Sequence, residues 1–396
     1  MSKQYDLNDD SVFVVIGSGA GGGSLANELA QKGIDVVCLE AGKRLTFGDI
    51  EQDPAVMHER MSWLDTRHGI PVWLCKTVGG TTMRWAAVTP RLMEHEFRSL
   101  STYGQLDGCN LIDWPLTLAE LEPYYDKAEK KMGVTGTHGM PPSFEHNNNQ
   151  VMQAGGHKVG YREITSERMA INSAASDGRP ACRQMGFCFS GCKLGAKWST
   201  LYTEVPKAEA TGHFELRTEC MALQIEHDDA GKVTAVIYRD ASGEQQRQKA
   251  RGVAVAGNVV ETTRLLRNST STLFPQGLGN SSDQLGRNYM RHMTSIVVGV
   301  MPGKVNYHRG TRQSGIILDE QAHRPQRGFA GGFIIEAAAT DPAGMIPFYS
   351  GWGEPAARFM ESYTHQAASF ITGEDPAQAR NRIELHSEKR DDNGLP

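Results

Sequence analysis

Gly17, Gly19 and Gly22 stand in the run GSGAGGG, directly after an apolar stretch, and form G-x-G-x-x-G. Such a loop can receive a pyrophosphate. The first glycine allows a tight turn, the second lets the phosphates approach the backbone, and the third lets a helix pack closely on a strand. The helix that begins there offers free N–H groups and a partial positive charge. Glu40, about 20 residues on, can accept a hydrogen bond from a ribose hydroxyl. Its charge would repel the 2′-phosphate of NADP, which leaves FAD and NAD as the dinucleotides to consider. A second group, Cys182, Cys188 and Cys192, places three thiols within eleven residues and calls for its own explanation. The other four cysteines, Cys38, Cys75, Cys109 and Cys220, read as small core residues.

The elements around the glycines fit that chemistry. Residues 11–16 (SVFVVI) read as a buried parallel strand, 24–31 as a helix closed by Gly33, and 35–39 (DVVCL) as a second strand. This is the β–α–β unit that opens a doubly wound sheet. Residues 43–76 look like an irregular excursion. A helix starts at Asp113-Trp114-Pro115 and carries Leu118, Leu121, Tyr125, Ala128 and Met132, whereas 138–149 is loop. Residues 215–225, 233–239 and 245–256 read as three strands of a meander, 261–267 as a helix and 295–301 as a further strand.

The chain can bury a large core, and its length suggests two domains. With 41 Lys and Arg against 46 Asp and Glu, it has no basic excess of the kind nucleic-acid binding uses. No apolar run approaches the roughly 18–20 residues of a membrane span, so direct membrane insertion is not expected. The polar, acidic first ten residues are not a secretory signal, and the sequence by itself reads as cytoplasmic. Seven cysteines in such a chain do not suggest a disulfide framework.

Several stretches, in order, resemble the glucose–methanol–choline oxidoreductase family of flavoproteins. Residues 14–42, including Glu40-Ala41-Gly42, are similar to its opening pattern. Gly79-Gly80-Thr81-Thr82 followed by Trp85 resembles its flavin-contact loop, and residues 113–136 resemble its Trp-Pro…Glu-Pro-Tyr-Tyr segment. Ala222 stands where the family's strand touches adenine through its backbone. Ala256-Gly257 through Leu266 resembles its second signature, and Leu285-Gly286-Arg287-Asn288 with His292 resembles the segment that follows. The resemblance implies FAD rather than NAD, with Gly17, Gly19, Gly22, Glu40, Gly79, Gly80, Thr81, Ala222 and Gly257 as contacts. It implies an α/β fold, a Rossmann-like FAD-binding domain with a second α+β substrate domain that is incomplete here. Residues 1–100 and 200–295 would form the FAD-binding domain, 101–199 an insert with the cysteines, and 296–396 the substrate domain.

The implied activity is FAD-dependent oxidation of a CH–OH group on an alcohol or sugar, with hydride passing to flavin N5 and electrons to an external acceptor. The rivals are an oxygen-using flavin oxidase and a non-catalytic flavin-binding scaffold. The family's base is usually a His paired with a second His or Asn in its C-terminal segment. The resemblance breaks off at residues 381–396, so the catalytic residue is expected C-terminal to Pro396 and this chain alone is expected to be inactive. His292 and His386 read as packing and surface residues.

The cysteine segment resembles that of bacterial membrane-bound sugar dehydrogenases, whose catalytic subunit carries a three-iron, four-sulfur cluster. The resemblance makes Cys182, Cys188 and Cys192 its ligands, since three thiolates suit a cuboid lacking one iron corner. Zinc would want a fourth ligand, and no further His or Cys lies close by in sequence. Inert buried thiols are the other reading. That branch also implies a cytochrome c-type partner and a small export-carrying subunit, with the protein at the periplasmic face of a membrane.

Overall fold

The computed structural model describes residues 3–61, 74–342, 345, 349 and 351–396. Strand β1 (Phe13–Ile16) pairs in parallel with β2 (Val36–Leu39), and helix α1 (Ala20–Gln31) crosses between them. The helix begins at Ala20 rather than at Ser24. Gly21, Gly22 and Gly23 lie inside its first turns because the close approach to the preceding loop leaves no room for a side chain at Gly22 or Gly23. Alternate strand residues face opposite ways. Val15, Val36 and Cys38 pack against α1, while Val14, Ile16, Val37 and Leu39 pack on the other face.

Two runs that read as single strands are each divided between sheets. Residues 214–227 make β4 (Phe214–Arg217), parallel to β2, and then β5 (Met221–His227), which leaves that sheet. Glu219 adopts a left-handed backbone between them, with φ 55°, and this turns the chain although the apolar pattern continues through it. β5, β6 (Val233–Arg239) and β7 (Gln245–Lys249) form an antiparallel meander, after which β8 (Gly252–Val255) re-enters the parallel sheet beside β1. The order is β4-β2-β1-β8. Helix α6 (Glu204–Glu209) joins α1 on one face, while the meander and α7 (Asn258–Asn268) cover the other.

The excursion after β2 is not wholly irregular. It contains α2 (Pro54–Met61), whose Met57 and Met61 bury in the core beneath β1. Residues 62–73 of that stretch lie outside the described residues. The short helix α3 (Ser99–Tyr103) precedes α4 (Leu118–Met132), which starts five residues after Asp113 because Thr117 and Glu120 form a reciprocal cap. The loop expected to Asn149 ends earlier, at His146, whose ring accepts the Asn149 N–H at 3.3 Å and caps α5 (Asn147–Lys158).

α5 lies on a second sheet of order β3-β10-β11-β12-β9, built from β3 (Ile164–Ser166), β9 (Met293–Val300), β10 (Gln313–Ile317), β11 (Phe333–Ala338) and β12 (Gln366–Gly373). Asn148 ties helix to sheet by donating to the Ala338 and Ala368 carbonyls at 2.6 and 2.7 Å. α8 (Glu354–Glu361) precedes β12. Among the described residues, no helix is long and apolar enough to cross a membrane.

Two buried carboxyls interact at this sheet. Glu336 accepts from Gln313 and Thr372, both at 2.7 Å; burial raises its pKa, and these two donors oppose the rise. Glu167 has one oxygen on the Arg168 N–H at 3.1 Å and the other without a partner. Burial, reinforced by Glu336, pushes its pKa up to about 8. The native state therefore keeps a proton that the unfolded chain releases near pH 4.5, so stability present below about pH 4.5 is lost as pH rises toward 8. Glu167→Gln should raise stability at pH 7–8 by roughly 2–3 kcal/mol and flatten the melting profile between about pH 5 and 8. Thermal melts across that range check it; an unchanged slope would mean that Glu167 is ionised in the folded protein.

Candidate functional site

A cavity of about 440 Å³ opens at the C-terminal ends of β1, β2 and β8, where a parallel sheet places its ligands. Gly17, Gly19, Glu40, Gly80, Thr81, Ala222 and Gly257 line it. Gly22 and Gly79 stand behind the lining and shape it. Sequence reasoning missed Cys75, Lys76, Asn258 and Arg264, which also face the space. Of these, only Asn258 left a local signal. It follows Gly257 and accepts the Val260 and Glu261 N–H groups at 2.9 and 3.1 Å, capping α7.

The turn after β1 is held by contacts that only glycine permits. Gly17 has φ 96°, and a Cβ there would lie 2.6 Å from the Ala256 carbonyl oxygen. A Cβ on Gly22 would lie 1.9 Å from the Gly17 oxygen. Gly19 differs: its backbone is extended (φ −66°, ψ −163°), and a Cβ would meet nothing nearer than the Gly80 Cα at 3.8 Å. The reason for a glycine at 19 is thus the space in front of it. α1 begins here with no side-chain cap and no acidic residue in its first turn, so its leading N–H groups face the cavity. A pyrophosphate fits that set of donors.

Glu40 is buried and clasps the turn. It accepts the Ser18 N–H at 3.0 Å, the Ser18 hydroxyl at 2.6 Å and the Gly42 N–H at 2.8 Å. Burial raises its pKa, and these three donors oppose the rise. Ser18 in turn accepts the Gly79 N–H at 3.1 Å, which joins the first glycine turn to the second. A Cβ on Gly80 would lie 3.0 Å from the Gly19 Cα, so the two glycine loops form one narrow slot.

Cys182, Cys188 and Cys192 are outside this cavity. They pack beside Trp85 and Trp198, and Trp85 reaches the cavity from the other side. The Cys182 sulfur accepts the Gln184 N–H at 3.3 Å, and the Cys192 sulfur accepts the Lys197 N–H at 3.4 Å. Burial pushes the Cys182 thiol up to about 11 and raises Cys188 as well. Among the described residues, only Asp126, Glu129 and His138 bring three ligand atoms within 4.8 Å of one another. Arg91 bonds Asp126 at 2.5 Å and Glu129 at 2.7 Å, so that group is an ion-pair network. The three sulfurs are spread more widely than a single tetrahedral zinc would hold them, roughly 3.8 Å apart at Zn–S bonds of about 2.3 Å. Three thiols gathered beside one apolar cluster are the donor set that an iron–sulfur core takes.

A family model described as GMC oxidoreductase matches residues 61–294. The chain is 29% identical to a 2-methyl-1,2-propanediol dehydrogenase of Mycolicibacterium austroafricanum, over 98% of this chain and 76% of that protein. It is 30% identical to the fructose dehydrogenase large subunit of Gluconobacter japonicus, over 70% of this chain and 58% of that subunit. In fold it resembles the crystal structure of pyridoxine 4-oxidase from Mesorbium loti, with a TM-score of 0.63 at 15% identity, covering 92% of this chain and 71% of that one.

Proposed function

The chain belongs to the GMC oxidoreductase family, and on that premise we propose that it is an FAD-dependent oxidoreductase acting on the CH–OH group of an alcohol or sugar. The observation that carries the cofactor is the slot between the two glycine loops, at the head of an uncapped helix. Gly17, Gly19 and Gly22 would receive the pyrophosphate and Glu40 a ribose hydroxyl. Ala222 would meet the adenine, and Gly79, Gly80 and Thr81 the flavin, with Gly257 closing the far wall. The bound flavin supplies hydride acceptance. The chain's own residues bind and orient it: Glu40 fixes the turn, Ser18 couples the two loops, and apolar neighbours such as Leu39 and Ala222 keep water from the cofactor. Among the described lining residues there is no histidine, and the proton acceptor is unassigned. In this reading residues 1–100 and 200–295 make the FAD-binding domain and 296–396 the substrate domain. Residues 101–199 carry the cysteines and lend β3 and α5 to the second sheet.

The cysteine loop favours an external acceptor over oxygen. Cys182, Cys188 and Cys192 would hold a three-iron, four-sulfur cluster that passes single electrons toward a cytochrome-type partner, with a small subunit serving export. The gathering of the three thiols beside Trp85 and Trp198 supports this reading. The test is anaerobic mixing of flavin-loaded protein, in the longest form its gene encodes, with a panel of sugars, diols and simple alcohols. Bleaching of the flavin's visible band is expected, with fast reoxidation by a one-electron dye and slow reoxidation by oxygen. Peroxide formed in step with substrate would favour the oxidase, and no bleaching by any CH–OH compound would remove the enzymatic reading.

A further inference from the structure

Lys197 is a lysine in the protein interior, 1% exposed. Its ammonium has three donors, and all three are used by main-chain carbonyls: Met83 at 3.0 Å, Trp85 at 2.9 Å and Cys188 at 2.6 Å. Met83 and Trp85 belong to the segment that continues from Gly79-Gly80-Thr81 along the cavity, whereas Cys188 opens the short helical turn Cys188–Ser190 of the cysteine loop. One side chain thus joins the two regions that the proposed function makes redox-active. Its backbone N–H adds a second tie, to the Cys192 sulfur.

Carbonyl dipoles satisfy the donors of a buried ammonium but do not cancel its charge, and an uncompensated buried charge is costly. Burial pulls its pKa down to about 8 and the Arg84 guanidinium adds to the fall, while Cys188, Cys192 and Cys75 oppose it. Two further buried cations grip the same turn. Arg84 donates to the Phe189 carbonyl at 2.9 Å, and the Arg312 guanidinium lies 4.0 Å from the centre of the Phe189 ring. Asp341 and Glu336 offset the Arg312 charge, but a buried ammonium set among neutral thiols alone would be a liability. Around three thiolates and an iron–sulfur core, whose net negative charge grows on reduction, it is a stabilising frame.

We propose that Lys197 is a positioning residue between the two redox loops: it fixes the cysteine loop against the loop bordering the cofactor cavity, and its charge offsets the anionic group held by Cys182, Cys188 and Cys192. This rests on the reading that those cysteines hold a cluster. It also makes a separate claim, that the cluster's reduction is favoured by this ammonium.

The experiment compares anaerobically purified wild type, Lys197→Gln and Lys197→Arg after reconstitution with iron and sulfide. Iron, labile sulfide and flavin per chain are measured first, and then the midpoint of the cluster's spin-half signal in a redox titration. Gln keeps two of the three donors and removes the charge. It should retain flavin and iron while its reduction equilibrium weakens at least tenfold, a 59 mV downward shift for one electron. Lys197→Arg should stay within threefold of wild type. Wild type with iron but an unmoved midpoint in Lys197→Gln would overturn the inference and leave the cluster standing. A shift in Lys197→Arg as large as in Lys197→Gln would overturn the charge role. Wild type that takes up no iron would overturn the cluster reading and the inference together. If Lys197→Gln does not accumulate, Lys197→Met serves in the same comparison.

Discussion

Gly19→Val should fold and melt like the wild-type apoprotein yet purify without bound flavin. The backbone at 19 is extended, a conformation valine adopts readily, and the first atom of the new side chain has 3.8 Å of clearance from the protein. What the side chain does meet is the space in front of the first turn of α1, the site proposed for the pyrophosphate. Losing that approach removes several charge-assisted hydrogen bonds at once, so affinity should fall on the order of 100-fold or more, about 2.7 kcal/mol. Flavin absorbance per chain and a circular-dichroism melt separate the two effects. A yellow Gly19→Val protein with a full complement of FAD would place the cofactor elsewhere.

Gly22→Ala should fail for the opposite reason, and should do so with or without cofactor. Its methyl would sit 1.9 Å from the Gly17 carbonyl oxygen and 3.0 Å from the Ala256 Cβ. Neither the oxygen nor the turn that carries it can retreat, because Gly17 also holds φ 96° against Ala256. Overpacking of this kind costs about 3 kcal/mol or more, which lowers the melting midpoint by roughly 6–12 °C or leaves the protein insoluble. Added FAD should not rescue it. A soluble Gly22→Ala protein with a wild-type midpoint would mean that β1 and α1 are not packed as described.

The contrast between these two glycines shows what a sequence can carry. G-x-G-x-x-G marks a local unit of strand, turn and helix, and local units are legible because their neighbours in space are neighbours in sequence. The motif's spacing already sets the second glycine apart from the third, and what surrounds each Cβ shows the third packed against the turn and the second open in front. Glu40 was legible as an acid at the end of β2, but its hold on Ser18 and Gly42 was not. The runs at 215–225 and 245–256 misled because hydrophobic alternation passes through a change of sheet, and the left-handed Glu219 has no sequence signature of its own. Met57 and Met61 of α2 were hidden in a stretch rich in Met, His and Trp, which lacks a clean helical period. The second sheet was harder still, since β3 pairs with β10 across about 150 residues of chain. Lys197 was invisible. In the run GAKWST it reads as an ordinary surface lysine, and only the three carbonyls that converge on it reveal its place.

The most direct measurement is of what the wild-type protein releases when it is heat-denatured after gentle purification. Separation of the supernatant by chromatography identifies the nucleotide, and its amount against protein gives the stoichiometry. The expected result is FAD, near one per folded chain and displaced from the same protein when Gly19 carries a valine. Release of NAD in its place, or a folded wild-type protein that neither carries FAD nor takes it up on incubation, would contradict the account.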